Sequence, residues 1–178
     1  KYLVQPKILF YQRKDIIDNV GGKYNFFGFG HGIGHREKDT GQYDQNTRVD
    51  FVNGTCFMID KNFFKELRGF DEWYQFHYED IDLNLRAKKL NGKSWCCYKS
   101  IIYHKNSLTL KRNVSNEKLL FNIRRNRLRT LIKNFSGLKR FFKITGLMWI
   151  YFLLSVQDFL NFSPKRTFLT IKSIIAVG

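Results

Sequence analysis

The chain has 178 residues, of which 43% are hydrophobic and 17% are aromatic. This length and composition suffice for a buried core and exclude a disordered polar tail. The net charge of +16 is uneven: residues 1–104 contain 16 basic and 13 acidic side chains, and residues 105–178 contain 15 and 2. Nearly all of the excess positive charge therefore belongs to the second part of the chain.

Apolar and β-branched runs in the first part predict strands, and two segments with helical spacing predict helices. The predicted strands are residues 7–11, 49–52, 55–59, 94–98 and 101–103. The predicted helices are residues 61–67 and 80–90, with Gly69 placed to end the first and Asn91-Gly92 the second. This mixture predicts an α/β fold.

A long loop is predicted between Gly21 and Tyr43, where glycine and histidine are frequent. A loop of this length is functional or mobile more often than structural, so we expect a flexible flap beside a ligand site. Its glycines have neither the spacing of a P-loop nor that of a dinucleotide fingerprint. His31 and His35 are expected to be solvated, because the glycines around them argue against a metal-binding helix.

The most informative segment is residues 69–86, where five carboxylates lie within twelve residues. The helical spacing of the apolar residues that follow places Glu79, Asp80 and Asp82 in the first turn of a helix. The partial positive charge of a helix N-terminus favours ionised carboxylates there. A structural alternative is that Asp82 pairs with Arg86 one turn on, and that the other two only complement the helix dipole.

The turn before this helix is also acidic and aromatic, since it contains Asp71, Glu72 and Trp73. Aromatic rings pack against the faces of sugars, and carboxylates accept hydrogen bonds from hydroxyl groups. This composition therefore suits a cleft that binds a polyhydroxylated ligand, which the structural alternative does not explain.

Several segments form one ordered series along the chain. They are Gln5-Pro6-Lys7-Ile8, Gly21-Gly22, Gly41-Gln42-Tyr43-Asp44, Val49-Asp50-Phe51-Val52-Asn53-Gly54, residues 69–86, Ile102-Tyr103-His104 and Arg125-Asn126. The series resembles the second half of the catalytic domain of a family 2 glycosyltransferase, most closely the bacterial rhamnosyltransferase-like group. The resemblance implies a Rossmann-like GT-A fold. It also implies transfer of a sugar, with inversion, from a nucleotide-sugar donor to a glycan or lipid-linked acceptor in cell-surface polysaccharide synthesis.

The resemblance also assigns roles to individual residues. Asp80 matches the catalytic base, which takes the proton of the attacking hydroxyl. His104 matches a histidine that helps to hold a divalent metal, Mn²⁺ or Mg²⁺. Taken without the resemblance, His104 is more simply a strand-end histidine with a structural hydrogen bond. The acceptor-binding residues implied by the resemblance are Asp71, Glu72, Trp73, Glu79 and Gly54.

The chain departs from the family in one respect, because no Asp-x-Asp segment precedes the matched region. Family members hold the donor nucleotide and the metal at that segment. We therefore expect residues 1–112 to be the acceptor-side half of a GT-A domain, inactive without a donor-binding half upstream. Asp80-Ile81-Asp82 has the right composition, but its helical position suits the base segment better than a metal loop.

Residues 113–178 are expected to form a basic, aromatic helical extension. A helical apolar stripe begins after Ser115, and arginines occupy the other faces at positions 124, 125, 127 and 129. The apolar run at residues 144–156 is shorter than the roughly twenty residues that span a bilayer. It either docks at an anionic membrane surface or packs against the domain, and the cationic flank favours the membrane.

Two functions of different classes follow from these features. The first is a metal-dependent sugar transferase, cytoplasmic and peripheral on the inner face of the membrane, with mostly reduced structural cysteines. The second is a non-enzymatic nucleic-acid-binding module that uses the basic helix at residues 124–143. The second is disfavoured, because it leaves the acidic segment unused and the chain has no zinc-finger or RNA-recognition pattern.

Overall fold

The computed structural model of the chain describes residues 1–105 and 114–177, and it contains two compact units. Unit 1 comprises residues 1–25, 30–73 and 79–105, and unit 2 comprises residues 26–29, 74–78 and 114–177. The domain boundary predicted between residues 112 and 113 lies outside the described residues and stays a prediction.

Unit 1 is built on a mixed sheet, which confirms the predicted α/β class. Its strands are β1 (Tyr2–Phe10), β2 (Ile17–Asn19), β3 (Gly22–Tyr24), β4 (Gly30–Gly32), β5 (Thr47–Val49), β6 (Met58–Ile59) and β7 (Lys93–His104). The main sheet has the order β2-β1-β7-β5, and β6 also pairs with β1. Strands β1 and β7 are parallel, whereas the other pairs are antiparallel.

Strand β7 joins two segments that the sequence predicts as separate strands. Pro6 of β1 lies opposite Cys97, but Lys7 lies opposite Ile101, so the register shifts at this point. Proline has no N–H to donate to a neighbouring strand, and an irregularity there costs the sheet little. The break between the predicted strands is therefore a bulge within one strand.

Three other predictions about unit 1 are wrong in part. The predicted strand 49–52 shares only Val49 with β5. Only Met58–Ile59 of the predicted strand 55–59 is a strand, because the Asn53 carboxamide oxygen accepts from the backbone N–H of Thr55 and holds a turn there. Cys56, within the predicted strand, is half-buried. The predicted loop from Gly21 to Tyr43 contains the β3–β4 hairpin.

Helices α1 (Lys61–Glu66) and α2 (Glu79–Lys89) follow the predicted pattern. The Asp60 carboxylate caps α1 by accepting from the N–H of Phe63 at 2.8 Å. Gly69 has φ of 65° and donates to the carbonyl of Phe64, as expected of a glycine that ends a helix. The core of unit 1 is apolar and includes Leu3, Leu9, Ile17, Val52, Phe63, Leu83 and Ala87.

Unit 2 contains three helices: α3 (Asn116–Asn134), α4 (Gly137–Leu160) and α5 (Pro164–Ile175). The hydroxyl of Ser115 caps α3 by accepting from the N–H of Lys118. The core contains Leu128, Leu131, Leu147 and Tyr151. Within the described parts of the chain, none of the helices combines the length and the apolar character needed to cross a membrane.

Two arginines of α3 contradict the prediction that this helix presents its basic side chains on an open face. Arg124 and Arg127 are 7% and 9% exposed. The Nε atom of Arg127 donates to the Tyr78 hydroxyl at 2.7 Å, and Arg124 donates to the Thr170 hydroxyl. Both side chains therefore form hydrogen bonds inside unit 2.

Candidate active site

The carboxylate of Asp80 is held by two backbone donors at the start of α2. Its Oδ2 atom accepts from the N–H of Gly54 at 3.0 Å, and its Oδ1 atom accepts from the N–H of Ile81 at 2.8 Å. Backbone N–H groups stabilise the charged form of a carboxylate and fix its orientation. Asp80 therefore lies on a rigid element with its orientation set by a neighbouring segment of unit 1.

Glu79 lies beside this carboxylate. A Cβ atom built on Gly54 would be 3.6 Å from both the Oε1 atom of Glu79 and the Oδ2 atom of Asp80. The Oε2 atom of Glu79 is buried and has no hydrogen-bond partner among the described residues. Burial, and to a lesser degree the charge of Asp80, raise the pKa of Glu79. Glu79 thus has one buried oxygen that no described residue satisfies, and its other oxygen lies next to Gly54.

The Glu79→Gln variant is expected to unfold at a higher temperature than the parent at pH 7. The folded-state pKa lies above the ordinary value of 4.5, so ionisation at neutral pH costs the folded state free energy. This cost is absent below the unfolded pKa, and the gain in Tm should shrink as the pH falls towards 4.5. Thermal unfolding across this pH range measures the effect. The exposed Glu72→Gln variant is the control, and a Tm gain that does not change with pH would refute the assignment.

Asn84, one turn after Asp80, fastens α2 to the segment that carries Gly54. Its side chain accepts from the N–H of Val52 at 3.1 Å and from the Ser94 hydroxyl at 2.6 Å. Its Nδ2 atom donates to the carbonyls of Asp80 at 2.8 Å and Val52 at 3.3 Å. Asn84 is 2% exposed, so these bonds form out of water.

Gln5, on strand β1, also holds the segment that carries Gly54. Its Oε1 atom accepts from the N–H of Asn53 at 2.7 Å, and its Nε2 atom donates to the Oδ1 atom of Asn19 at 2.9 Å. Gln5 is fully buried. Together, Gln5 and Asn84 fix the backbone just before Gly54 from two sides. Sequence reasoning gave neither residue a role, although Gln5 belongs to the ordered series.

The Gly54→Ala variant tests the acceptor-binding role that the resemblance implies for Gly54, and it is expected to keep the fold but to impair acceptor binding. The new methyl group would meet its nearest neighbours at 3.6 Å, which is ordinary van der Waals contact. It would nevertheless fill the space in front of the two carboxylates. We expect the acceptor KM to rise about tenfold, the usual effect of one misplaced carbon in a binding site. Steady-state kinetics with both substrates tests this, and an unchanged acceptor KM would remove Gly54 from the acceptor site.

His104 ends strand β7 and pairs with Asp18. Its Nδ1 atom lies 2.7 Å from the Oδ2 atom of Asp18, and the Nδ1 atom of His35 lies 2.8 Å from the Asp18 carbonyl oxygen. A histidine with Nδ1 held by a carboxylate presents Nε2 to a metal, so this pairing fits a metal ligand. The described residues contain no cluster of three or more histidine, cysteine, aspartate or glutamate side chains that could hold a metal ion. The role of His104 as a metal ligand stays a prediction.

Asp71, Glu72 and Trp73 form a turn of their own ahead of α2. The Oδ1 atom of Asp71 accepts from the N–H of Trp73 at 3.0 Å, and Glu72–Tyr74 is a single 3₁₀ turn. Glu72 is exposed, whereas Asp71 and Trp73 are half-buried. Their role in acceptor binding stays a prediction.

Asp82 has a structural role, as one of the sequence alternatives predicted. It is fully buried and accepts from the Nε atom of Arg86 at 2.8 Å. Arg86 in turn donates to the carbonyl of Gly69 at 2.9 Å. The Asp80-Ile81-Asp82 segment therefore has one carboxylate committed to an internal ion pair, which argues against a metal loop there.

The residues predicted for the site fall into three places. Gly54, Glu79 and Asp80 come together at the start of α2, His104 joins Asp18 at the end of β7, and residues 71–73 form the preceding turn. No family model and no curated protein matches the sequence of this chain. The case for a function therefore depends on the chemistry of these groups.

Proposed function

We propose that this chain is the acceptor-side half of an inverting glycosyltransferase with a GT-A fold, similar to family 2. The observation that carries the proposal is the carboxylate of Asp80, which the backbone N–H groups of Gly54 and Ile81 fix beside the carboxylate of Glu79. Two neighbouring carboxylates, one of them held in a fixed orientation, suit a ligand with several hydroxyl groups. The mixed sheet and helices of unit 1 give it the α/β class that the proposal requires.

In the proposed reaction, Asp80 takes the proton from an acceptor hydroxyl as that oxygen attacks the anomeric carbon of the donor sugar. The new carbon–oxygen bond forms on the face opposite the bond to the nucleoside diphosphate. That bond breaks, and the nucleoside diphosphate leaves with its electron pair. Attack from the opposite face inverts the anomeric configuration. Glu79 would orient the acceptor by receiving a second hydroxyl hydrogen bond.

A divalent metal would supply charge neutralisation for the departing diphosphate. His104 is the described residue that would hold it, with Asp18 fixing the imidazole ring. Other ligands would come from a donor-binding Asp-x-Asp segment.

The proposal is tested by assaying the complete polypeptide with a panel of sugar nucleotides and Mn²⁺, with a glycan or lipid-linked acceptor. Release of nucleoside diphosphate that depends on acceptor and metal would support it, and would name the donor sugar. A folded protein that consumes no donor in the presence of membrane lipid would refute it.

A nucleic-acid-binding module is the competing function, and the burial of Arg124 and Arg127 removes two of its cations while Lys133, Lys139 and Arg140 remain exposed. Phosphate contacts need exposed cations, and binding through them falls steeply with salt. Salt-dependent binding to single or double strands, unaffected by Asp80→Asn and without donor consumption, would favour this alternative.

A further inference from the structure

Helix α4 presents a row of large apolar side chains to solvent. They are Leu138, Phe142, Trp149, Phe152, Val156 and Leu160, which we call the apolar stripe, and each is at least 40% exposed. At 3.6 residues per turn they fall within an arc of about 80°. The stripe therefore runs along one side of a 24-residue helix.

The opposite side of α4 belongs to the core of unit 2. Leu147 and Tyr151 are 0% and 1% exposed, and the Tyr151 hydroxyl donates to the carbonyl of Arg124 at 2.9 Å. The helix is thus anchored by one face, and the stripe is the face left over. Trp149 and Phe152 stack within it, with ring centres 5.5 Å apart. An apolar surface this long is uncommon on a protein that meets only water.

Helix α5 repeats the arrangement on a smaller scale. Phe168, Ile171 and Ile175 recur at helical spacing and are each more than half exposed, whereas Thr170 and Ser173 are buried. Two helices of the same unit therefore each combine a buried face with an apolar solvent face.

The charges around these faces are mostly positive. Residues 114–177 contain twelve basic and two acidic side chains, a net charge of +10. Six of the basic side chains are exposed on or next to α4 and α5: Lys133, Lys139, Arg140, Lys165, Arg166 and Lys172. Of the two acids, Glu117 pairs with Lys165 at 2.6 Å and Asp158 lies 3.7 Å from Arg124. The exposed charge of the helical unit is thus cationic.

We propose that the apolar stripe of α4 docks on the interface of an anionic lipid bilayer, with the helix parallel to the membrane plane. Apolar and aromatic side chains enter the boundary between headgroups and acyl chains, while lysine and arginine bind lipid phosphates and serine headgroups. A second copy of the chain fits less well, because pairing two stripes would bring two cationic rims together. The inference does not depend on the proposed transferase activity.

The stripe can be tested with the double variant Trp149→Glu plus Phe152→Glu. Both side chains are more than half exposed, so the fold should survive, which thermal unfolding checks. The matched control is Gln45→Glu plus Asn46→Glu, which adds the same charge at exposed positions of unit 1. Flotation with mixed phosphatidylcholine–phosphatidylserine vesicles should show about a tenfold or greater loss of binding for the stripe variant. The control should stay within about twofold of the parent.

Two further measurements distinguish a lipid bilayer from a second copy of the chain as the binding partner of the apolar stripe. Brominated lipids should quench the fluorescence of the parent protein in vesicles, and Trp149→Phe should remove most of that quenching. Binding should weaken at high salt and on pure phosphatidylcholine. Equal vesicle binding by the stripe variant and its control would overturn the proposal. So would a dimer in solution that the stripe variant dissociates, without vesicle binding by the parent.

Discussion

Replacing Asp80 by asparagine is expected to lower the turnover of the complete enzyme about a hundredfold or more, the usual scale for loss of a general base. The amide oxygen of asparagine can still accept from the Gly54 N–H, whereas its NH2 group cannot accept from the Ile81 N–H, so the side chain keeps one of its two backbone contacts. The amide cannot take a proton from the acceptor hydroxyl. We therefore expect kcat to fall, while the donor affinity and the midpoint of thermal unfolding stay close to those of the parent.

The matched control for this experiment is Asp15→Asn, which removes the same charge from an exposed position between β1 and β2. It should leave kcat unchanged. If Asp80→Asn retains turnover within a few-fold of the control, Asp80 is not the base. Adding Glu79→Gln then shows whether the neighbouring carboxylate takes over the role.

The start of α2 could be predicted because its signals are local. Carboxylates gather ahead of an apolar helical period, and the pairing of Asp82 with Arg86 follows from i,i+4 spacing. The position of Asp80 in the first turn was predicted for the same reason and is confirmed. Its contact with Gly54 joins residues 26 apart in the chain and was not predicted, because the resemblance assigns a role to each residue but no contact between them.

The contacts that hold this site were not predictable from the pattern. Gln5 binds the backbone of Asn53, and Asn84 binds that of Val52, across 48 and 32 residues of chain. A buried carboxamide leaves no periodic signal, because its partner is a backbone group of any residue type. Polar residues inside a helix or strand are normally taken as solvated, which is wrong here.

The long-range contacts of a buried carboxamide in unit 2 were also not predictable from the pattern. The amphipathic pattern predicted α3, but it treated the polar positions as a solvent face. Asn126 is fully buried and donates from Nδ2 to the carbonyls of Tyr74, Phe76 and His77 at distances between 2.7 and 3.0 Å. These bonds hold a turn in which Gln75, His77 and Tyr78 have positive φ angles. Such a turn is costly for residues other than glycine, and only long-range partners stabilise it.

Replacing Asn84 by alanine is expected to lower the free energy of unfolding by about 2–4 kcal/mol. The change removes four hydrogen bonds and leaves the buried N–H and C=O groups of Val52 without their side-chain partner. An unsatisfied buried polar group costs about 1–3 kcal/mol. Denaturant unfolding measures the loss, and Asn62→Ala, at an exposed position of α1, is the control and should change stability by less than about 0.5 kcal/mol.

A double-mutant cycle with Ser94→Ala separates this network from a general effect of a cavity. The Ser94 hydroxyl donates to the Oδ1 atom of Asn84 at 2.6 Å, so the two residues share one interaction. Removing Ser94 should therefore destabilise the parent more than it destabilises the Asn84→Ala protein, with a coupling of about 0.5–3 kcal/mol. Additive losses would mean that the hydrogen bond between Ser94 and Asn84 contributes nothing to the coupling, and would leave only the bonds of Asn84 to Val52 and Asp80 as its contribution. Since Asn84 also binds the carbonyl of Asp80, a coupled network would imply that the stability of this core and the placement of the proposed base depend on the same amide.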